Sequence, residues 1–469
     1  MIQLEDPADQ AMVAKIHEAD QEHLFDDWDQ LDSAARHSLL KDLHHIDLSF
    51  IQQLIRDHLD SSASEAPIAA PTPPDWIPLE DPGRAAAKLR GLEALQRGEV
   101  AVLMVAGGVG TRLGHPGPKG SFPILPISGG TLFQIFSESL LRLQKKVGRS
   151  IHWIIMTSPT NHTETLQYFR QHDYHGLTPS EVTIVPQEQL PVLDSRRCKI
   201  LRSGPGQVMF SPDGHGGSIR LLQRTATDLR QRGIQHIYTH QVDNPLARMA
   251  DPELIGLHLE RDSRFTSKAV AKTDPDEKVG VFCSVGDHLR VIEYSELVEE
   301  DRHLKDPDGS LSFRAGNIAT HVIELDFIAP KTASGPLQLP FHVARKAIRH
   351  WHGGEWHEPT SANSVRFETF IFDVLPLANR GLVVEANRDL EFAPVKNGEG
   401  SDSPATSRSA LQKLWASWLV ECGIELEFDR SLQPLRTIEI SPLIASDATE
   451  LKKALEKLEI PTEGPILLR

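Results

Sequence analysis

Cysteine is scarce in this chain, with three residues among 469, at positions 198, 283 and 422. They lie far apart and lack the short spacing of a metal site, which argues against a disulfide scaffold and a cysteine-based zinc site. Unpaired thiols are typical of the reducing cytoplasm, where we expect this protein. Residues 350–357, HWHGGEWH, are rich in histidine, but no further ligands follow at zinc-site spacing. We expect a surface loop there.

Positive charge is also in deficit, because 49 lysines and arginines face 65 aspartates and glutamates, a formal net charge of −16. Nucleic acid and anionic membranes both favour a basic surface, so neither is expected as the main partner. No apolar run approaches the length of a membrane span, and the opening MIQLEDPADQ lacks the basic and apolar regions of a signal peptide. No protein partner is evident, and no G-x-S-x-G element indicates a serine nucleophile.

The length of the chain suggests two or three domains. Residues 1–84 combine helical periodicity with a proline-rich connector, and residues 406–469 are expected to form a small C-terminal domain. Residues 85–405 alternate apolar runs with amphipathic stretches, which predicts an α/β domain with a mixed, mostly parallel sheet and helices on both faces. The candidate strands are the apolar runs at 101–105, 151–157, 182–185, 236–242, 279–285 and 382–385.

Residues 101–120, AVLMVAGGVGTRLGHPGPKG, join one of these strands to a glycine-rich turn and two basic residues. Gly107, Gly108 and Gly110 let the backbone approach phosphate oxygens and direct N–H groups toward them. Arg112 and Lys119 add positive charge where a polyanion would lie. The spacing fits neither G-x-G-x-x-G nor a P-loop. The whole string predicts a site for a nucleoside triphosphate.

A second polar feature follows the run 236–242, where Asp243, Asn244 and Pro245 come directly after the strand. In open α/β sheets, ligands bind at the carboxyl ends of the strands. Mg²⁺ prefers one or two carboxylates together with phosphate oxygens and water, so Asp243 could supply one ligand. A plain Asp-Asn-Pro turn would give the same sequence, and this segment alone leaves both interpretations open.

The string AGGVGTRLG followed by GPKG resembles the signature of the eukaryotic-type UDP-sugar pyrophosphorylases, and is most similar to the UDP-N-acetylglucosamine branch. The resemblance extends over most of the chain. It implies a Rossmann-like nucleotidyltransferase fold of the glycosyltransferase-A type. The implied enzyme makes a UDP-sugar and pyrophosphate from UTP and a hexose 1-phosphate, with Mg²⁺ or Mn²⁺. N-acetylglucosamine 1-phosphate is the expected sugar, glucose 1-phosphate or a broad hexose range is the alternative, and a nucleotide-binding regulator without turnover is a third hypothesis.

The resemblance also implies a role for individual residues in the segments PQEQLP, PDGHGG, VDNP, VGVF, VIEYSE, AGNIA and FAPVKN. The implied catalytic residues, which act on the phosphates, are Arg112, Lys119 and Lys396. The implied metal ligand is Asp243. The implied nucleotide contacts are Gly107, Gly108, Gly110, Thr111, Gln187 and Gly214. The implied sugar contacts are His215, Gly280, Glu293 and Asn317.

One residue departs from the pattern of the N-acetylglucosamine branch. In the loop PDGHGG at 212–217, His215 stands where that branch has asparagine. The glucose and broad-specificity branches carry a G-H-G core in this loop, so the chain combines two patterns. Because the family's asparagine lies near the acetamido group, His215 is expected to weaken a preference for N-acetylglucosamine.

Overall fold

The computed structural model describes residues 2–60, 70–331 and 337–469. The chain forms two compact units, each assembled from several stretches of sequence. Unit 1 comprises Met1–Ile68, Glu188–Gly217 and Gln338–Ile371, and unit 2 comprises Ala69–Gln187, Ser218–Leu337 and Phe372–Arg469. Part of the predicted proline-rich connector, residues 61–69, lies outside the described residues. The division of the sequence at 84/85 and 405/406 stays a prediction.

The helices are numbered in chain order. They are α1 (Pro7–Glu18), α2 (Ser33–His44), α3 (Leu48–Ile55), α4 (Arg84–Arg97), α5 (Leu132–Val147), α6 (His162–Gln171), α7 (Gly217–Gln231), α8 (Pro252–Glu260), α9 (Glu299–His303), α10 (Leu325–Ile328), α11 (Arg388–Glu391), α12 (Pro404–Glu421) and α13 (Ala448–Leu455). Across the described ranges, none of these helices has the length and apolar character needed to cross a membrane.

The strands are numbered in the same way. They are β1 (Val100–Val105), β2 (Trp153–Thr157), β3 (Val182–Pro186), β4 (Gln189–Pro191), β5 (Leu193–Asp194), β6 (Arg202–Gly204), β7 (Gln207–Val208), β8 (Phe210–Pro212), β9 (His236–Gln241), β10 (Phe265–Ala271), β11 (Val281–Val285), β12 (His288–Ile292), β13 (Ala315–Glu324), β14 (His342–Lys346), β15 (His350–His352), β16 (Glu355–His357), β17 (Ser364–Glu368), β18 (Gly381–Ala386), β19 (Ile438–Ile440) and β20 (Ile466–Leu468). Every candidate strand of the sequence is present, with small shifts at the ends.

Unit 2 is built on a nine-stranded sheet. The strand order is β12-β11-β13-β9-β1-β2-β3, and the long strand β13 also pairs with β10, which pairs with β18. Strands β9, β1, β2 and β3 are parallel neighbours, as are β10 and β18, whereas β12 and β13 run against the other strands. The predicted mixed, mostly parallel α/β sheet is therefore confirmed.

The carboxyl ends of three central strands meet at one edge of this sheet. Val105 at the end of β1 lies opposite Met156 of β2 and Gln241 of β9, so the turns that follow these strands begin side by side. Residues 100–104 of β1 are buried without alternation, as a strand covered on both faces requires. This edge is where the polar segments of the sequence collect.

The helix after the glycine turn, α5, covers this sheet with a strongly apolar face. Thr131 Oγ1 begins the helix by accepting the Gln134 N–H at 3.2 Å. Leu132, Phe136 and Leu140 are fully buried in the core of unit 2. Each such side chain contributes about 1.5–3 kcal/mol by leaving water, so packing rather than helix propensity stabilises α5.

Unit 1 combines helices α1–α3 with small antiparallel sheets, β14-β17-β5, β16-β15-β6-β7 and β4-β8. Residues 350–357, expected as a surface loop, instead form the hairpin β15–β16. The physical reason is that Trp351 of this segment is hydrogen-bonded to a buried ion pair. The Trp351 indole N–H donates to Asp27 Oδ2 at 2.9 Å, and the same oxygen accepts from the buried Arg202 guanidinium at 2.7 Å.

Candidate active site

The glycine turn after β1 is closed by its own backbone. The Lys119 N–H donates to the Gly108 carbonyl at 3.0 Å, and the Gly110 N–H donates to the Gly117 carbonyl at 3.0 Å. These bonds bring Lys119 back beside Gly108. Gly108 is exposed, and a Cβ there would lie 3.5 Å from Lys119 Cε. The Gly108 backbone is therefore accessible to a ligand next to a fixed positive charge.

Two other glycines of the turn lie in close contact with other residues of the protein. A Cβ on Gly107 would lie 2.8 Å from Gln187 Oε1, and a Cβ on Gly110 would lie 2.8 Å from His115 Cβ. Gln187 is buried. Burial also lowers the pKa of His115, whose Nε2 lies 2.9 Å from Ser121 Oγ. The imidazole is therefore neutral at physiological pH and adds no charge to the turn.

Asn161 organises the same turn and is not among the residues predicted from the sequence. It is 1% exposed, and its Nδ2 donates to the carbonyls of Ala106 and Gly108 at 3.0 and 3.1 Å. Its Oδ1 accepts the Ser158 N–H at 2.9 Å. A polar residue soon after the predicted strand β2 was the available signal, because turns after parallel neighbours meet at one edge.

Lys119 and Asp243 face each other at this edge. Lys119 Nζ lies 3.5 Å from Asp243 Oδ2, and the two side chains are 17% and 19% exposed. Asp243 follows β9, whose register continues as the Val242 N–H donates to the Val105 carbonyl at 3.1 Å. The charges are close, but solvent reaches both of them. Such a pair offers an ammonium to a phosphate and a carboxylate to a cation.

The segment that carries Lys396 is bound to the Asp243 turn. The Val395 N–H donates to the Asp243 carbonyl at 2.8 Å. The neighbouring Asn244 is 3% exposed, and its Nδ2 donates to the Glu391 carbonyl at 2.7 Å. The structure thus brings Lys396 to the same edge of the sheet as Asp243.

Lys396 and Arg112 lie on adjoining loops. Lys396 Nζ is 3.7 Å from Asp402 Oδ2 and 5.7 Å from the centre of the Phe392 ring, and the side chain is 40% exposed. A Cβ on Gly398 would lie 3.0 Å from the Arg112 carbonyl oxygen. Arg112 itself is exposed on the 3₁₀ turn Thr111–Leu113. Both cations are therefore accessible to an anionic ligand.

The three predicted sugar segments of unit 2 also come together. The Asn317 N–H donates to the Gly280 carbonyl at 2.8 Å, and a Cβ on Gly280 would lie 3.1 Å from Glu293 Oε1. Asn317 Oδ1 accepts the Ala319 N–H at 2.9 Å. The antiparallel pairing of β11 with β12 and β13 creates this grouping of an amide, a carboxylate and a glycine. Their contact with a sugar stays a prediction.

The PDGHGG loop belongs to unit 1 and packs against that unit's own backbone. Gly214 has a φ of +82°, and a Cβ there would lie 2.4 Å from the Thr369 carbonyl oxygen. His215 Nδ1 accepts the Ile371 N–H at 3.1 Å, and its ring centre is 5.3 Å from that of Phe370. The glycine therefore allows close packing within unit 1. The predicted ligand contacts of Gly214 and His215 stay predictions.

The metal-ligating side chains at the edge of the sheet indicate which kind of metal ion could bind there. No group of three or more histidine, cysteine or acidic residues is arranged for a metal ion within the described part of the chain. A cation at the edge of the sheet would depend on one carboxylate, Asp243, together with oxygens of the substrate. Mg²⁺ is bound in that manner in phosphate-transferring enzymes, so the residues fit it.

Known proteins resemble this chain over most of its length. The family described as UTP–glucose-1-phosphate uridylyltransferase matches residues 53–445. The UDP-N-acetylglucosamine pyrophosphorylase of Saccharomyces cerevisiae is 38% identical over 432 residues, which cover 87% of this chain and 90% of the yeast protein. The UDP-N-acetylglucosamine diphosphorylase 1 of Arabidopsis thaliana is 33% identical over 456 residues, which cover 92% of this chain and 88% of the plant protein.

A solved structure gives the same result for the fold. The uridine diphosphate N-acetylglucosamine pyrophosphorylase from Trypanosoma brucei, in complex with an inhibitor, is 25% identical with a TM-score of 0.81, covering 100% of this chain and 99% of that one. Fold and similarity together define an α/β nucleotidyltransferase. Within that class, the chain belongs to the UTP–glucose-1-phosphate uridylyltransferase family, and the predicted fold and family are confirmed.

Proposed function

We propose that this chain makes UDP-N-acetylglucosamine and pyrophosphate from UTP and N-acetylglucosamine 1-phosphate. The observation that carries the proposal is the grouping at one sheet edge. Lys119 and Asp243 lie 3.5 Å apart beside the glycine turn, and the Asp243 carbonyl holds Val395 next to Lys396. The names of the yeast and plant relatives support the choice of sugar.

The proposed reaction needs no enzyme nucleophile. A phosphate oxygen of the sugar 1-phosphate attacks the α-phosphorus of UTP in line and forms a new phosphorus–oxygen bond. The bond from the α-phosphorus to the bridging oxygen of the β-phosphate breaks, and pyrophosphate leaves with that electron pair. Catalysis then consists of alignment and of neutralising the charge on the phosphoryl oxygens.

Each of the three cationic residues is assigned to particular phosphates of the substrates. Lys119 and Lys396 bridge the α-phosphate and the incoming sugar phosphate, and Arg112 binds the β- and γ-phosphates. Lys and Arg suit these positions because both side chains offer positively charged N–H donors to phosphate oxygens. The proposed nucleotide contacts are Gly107, Gly108, Gly110, Thr111, Gln187 and Gly214. The proposed sugar contacts are His215, Gly280, Glu293 and Asn317.

Asp243 would hold the divalent cation, Mg²⁺ or Mn²⁺. The bound cation would neutralise charge on the phosphate oxygens. The partly exposed carboxylate beside the glycine turn supports this assignment, since such an ion takes one or two carboxylates and completes its shell with phosphate and water. We also propose that the protein acts in the cytoplasm, which the free thiols of Cys283 and Cys422 support.

A broader or glucose-type specificity is the second candidate. It is favoured by His215, because the G-H-G core of the PDGHGG loop resembles that of the glucose and broad-specificity branches.

A single assay separates these candidates. Purified protein is mixed with UTP, Mg²⁺ and a panel of sugar 1-phosphates, and pyrophosphate release is measured. We expect the highest kcat/KM with N-acetylglucosamine 1-phosphate. Faster turnover of glucose 1-phosphate would favour the second candidate, and no release with any sugar would contradict both.

A further inference from the structure

A buried charge cluster in unit 2 has no direct part in the proposed reaction. Lys268 on β10 is 3% exposed, and its Nζ donates to Asp251 Oδ2 at 2.5 Å and to Glu391 Oε2. Arg248 Nε lies 3.7 Å from Glu391 Oε1. Burial opposes the charged form of Lys268, but the two carboxylates outweigh burial and raise the pKa of the lysine. Lys268 is therefore held in its charged form between the two carboxylates.

The two carboxylates belong to the segments that carry the proposed cation and phosphate ligands. Asp251 closes the loop that begins at Asp243, and it caps α8 by accepting the Glu253 N–H at 3.1 Å. Glu391 begins the segment that leads to Lys396. One lysine of the central sheet thus binds both segments at once.

Backbone contacts extend this connection to the proposed ligands. Asn244 Nδ2 donates to the Glu391 carbonyl at 2.7 Å, and the Val395 N–H donates to the Asp243 carbonyl at 2.8 Å. A shift of Glu391 would therefore move Asn244 and its neighbour Asp243. The same shift would move Lys396, which follows Val395 in the chain.

We propose that Lys268 is a positioning residue that fixes the spacing between Asp243 and Lys396. This inference rests on the proposed function. Its ammonium binds two carboxylates and its side chain is 4% exposed, so it acts through the two segments and not on the substrate. Removing the lysine would leave two buried carboxylates with only Arg248 as a nearby cation in the cluster, which favours movement of their segments or protonation of a carboxyl group.

Lys268→Met tests this role because methionine is unbranched and keeps most of the length of the side chain while it removes the charge. We expect kcat for pyrophosphate release to fall at least about tenfold. We also expect at least about tenfold weaker binding of Mn²⁺ in the presence of UTP, measured from the electron paramagnetic resonance of free Mn²⁺. Glu391→Gln retains the backbone carbonyl that accepts from Asn244. We expect it to lower kcat and to weaken Mn²⁺ binding as well, but by smaller factors than Lys268→Met.

Arg84→Met provides the matched control. It breaks another ion pair of α8, in which Arg84 Nη1 lies 2.5 Å from Glu253 Oε1 with side chains 12% and 25% exposed. We expect a lower melting temperature with wild-type kcat and Mn²⁺ binding, because this pair does not contact Glu391.

The outcomes of this experiment distinguish failure of the Lys268 inference from failure of the proposed function. Wild-type Mn²⁺ binding and kcat in folded Lys268→Met would overturn the inference. If that variant does not fold, the same result for Glu391→Gln would overturn it. A wild-type protein that binds Mn²⁺ with UTP but releases no pyrophosphate would contradict the proposed function alone, since the Mn²⁺ titrations of the variants still test Lys268.

Discussion

Two glycine-rich turns of this chain have similar compositions and different surroundings. In the turn at 107–110, Gly108 is exposed, and a Cβ there would make an ordinary contact with Lys119 at 3.5 Å. In the turn at 212–217, a Cβ on Gly216 would lie 2.5 Å from Thr369 Oγ1. Gly108 of the first turn leaves its backbone open beside a lysine, whereas Gly216 of the second turn packs closely inside unit 1.

Glycine content alone therefore does not identify a phosphate site. What distinguishes the first turn is the charge fixed beside it. Lys119 is hydrogen-bonded to Gly108 through its backbone and faces Asp243 through its side chain. We therefore expect a substitution at Gly108 to reduce catalysis and a substitution at Gly216 to reduce stability.

The largest effect is expected for Asp243→Asn. The amide keeps the size of the side chain and leaves the backbone bond to Val395 in place, but it carries no charge for a cation. Pyrophosphate release should fall by at least about 10²-fold, the scale for removing one group that stabilises the transition state.

The matched control is Asp228→Asn on α7, which removes an exposed carboxylate 3.1 Å from Arg232. Exposed pairs of this kind contribute at most about 1 kcal/mol, so we expect wild-type turnover. Equal rates for the two variants would show that Asp243 is an ordinary turn residue.

An intermediate effect is expected for a pair of glycine substitutions that compares the turns directly. Gly216→Ala should lower the free energy of unfolding by about 1–3 kcal/mol, because its Cβ overlaps Thr369. Gly108→Ala should unfold like the wild type and raise KM for UTP about tenfold, roughly one hydrogen bond to a charged group. Urea unfolding and initial rates measure both quantities, and an unchanged KM for Gly108→Ala would remove the distinction between the turns.

The smallest effect is expected for His215→Asn. Asparagine can still accept the Ile371 N–H bond, but it lacks the ring that packs near Phe370. We expect the ratio of kcat/KM for N-acetylglucosamine 1-phosphate over glucose 1-phosphate to rise by less than about tenfold. A reversal of the preferred sugar would mean that His215 alone determines specificity.

The sheet of unit 2 could be predicted from the sequence because buried parallel strands form continuous apolar runs. Val100–Val105 and Trp153–Thr157 lie where such runs predict them. Unit 1 could not be predicted in this way. Its strand β5 pairs with β17 through Leu193 and Val365, and nothing local in either segment indicates the other.

In the candidate site, too, only residues with a local sequence signal could be predicted. The glycine turn, Lys119 and Asp243 have local signals, since each follows an apolar run. Asn161 and Lys268 have none of comparable strength, because their importance depends on which distant carbonyls and carboxylates they meet in the folded chain. Residues that organise a site are therefore harder to predict than residues placed at its strand ends.

The role of Lys119 is tested by the initial rate of pyrophosphate release from UTP and N-acetylglucosamine 1-phosphate, measured for the wild type and Lys119→Ala side by side with saturating Mg²⁺. We expect turnover by the wild type and a rate at least about 10²-fold lower for the variant. Near-normal turnover by Lys119→Ala would contradict the claim that the charge beside the first glycine turn makes it the transfer site.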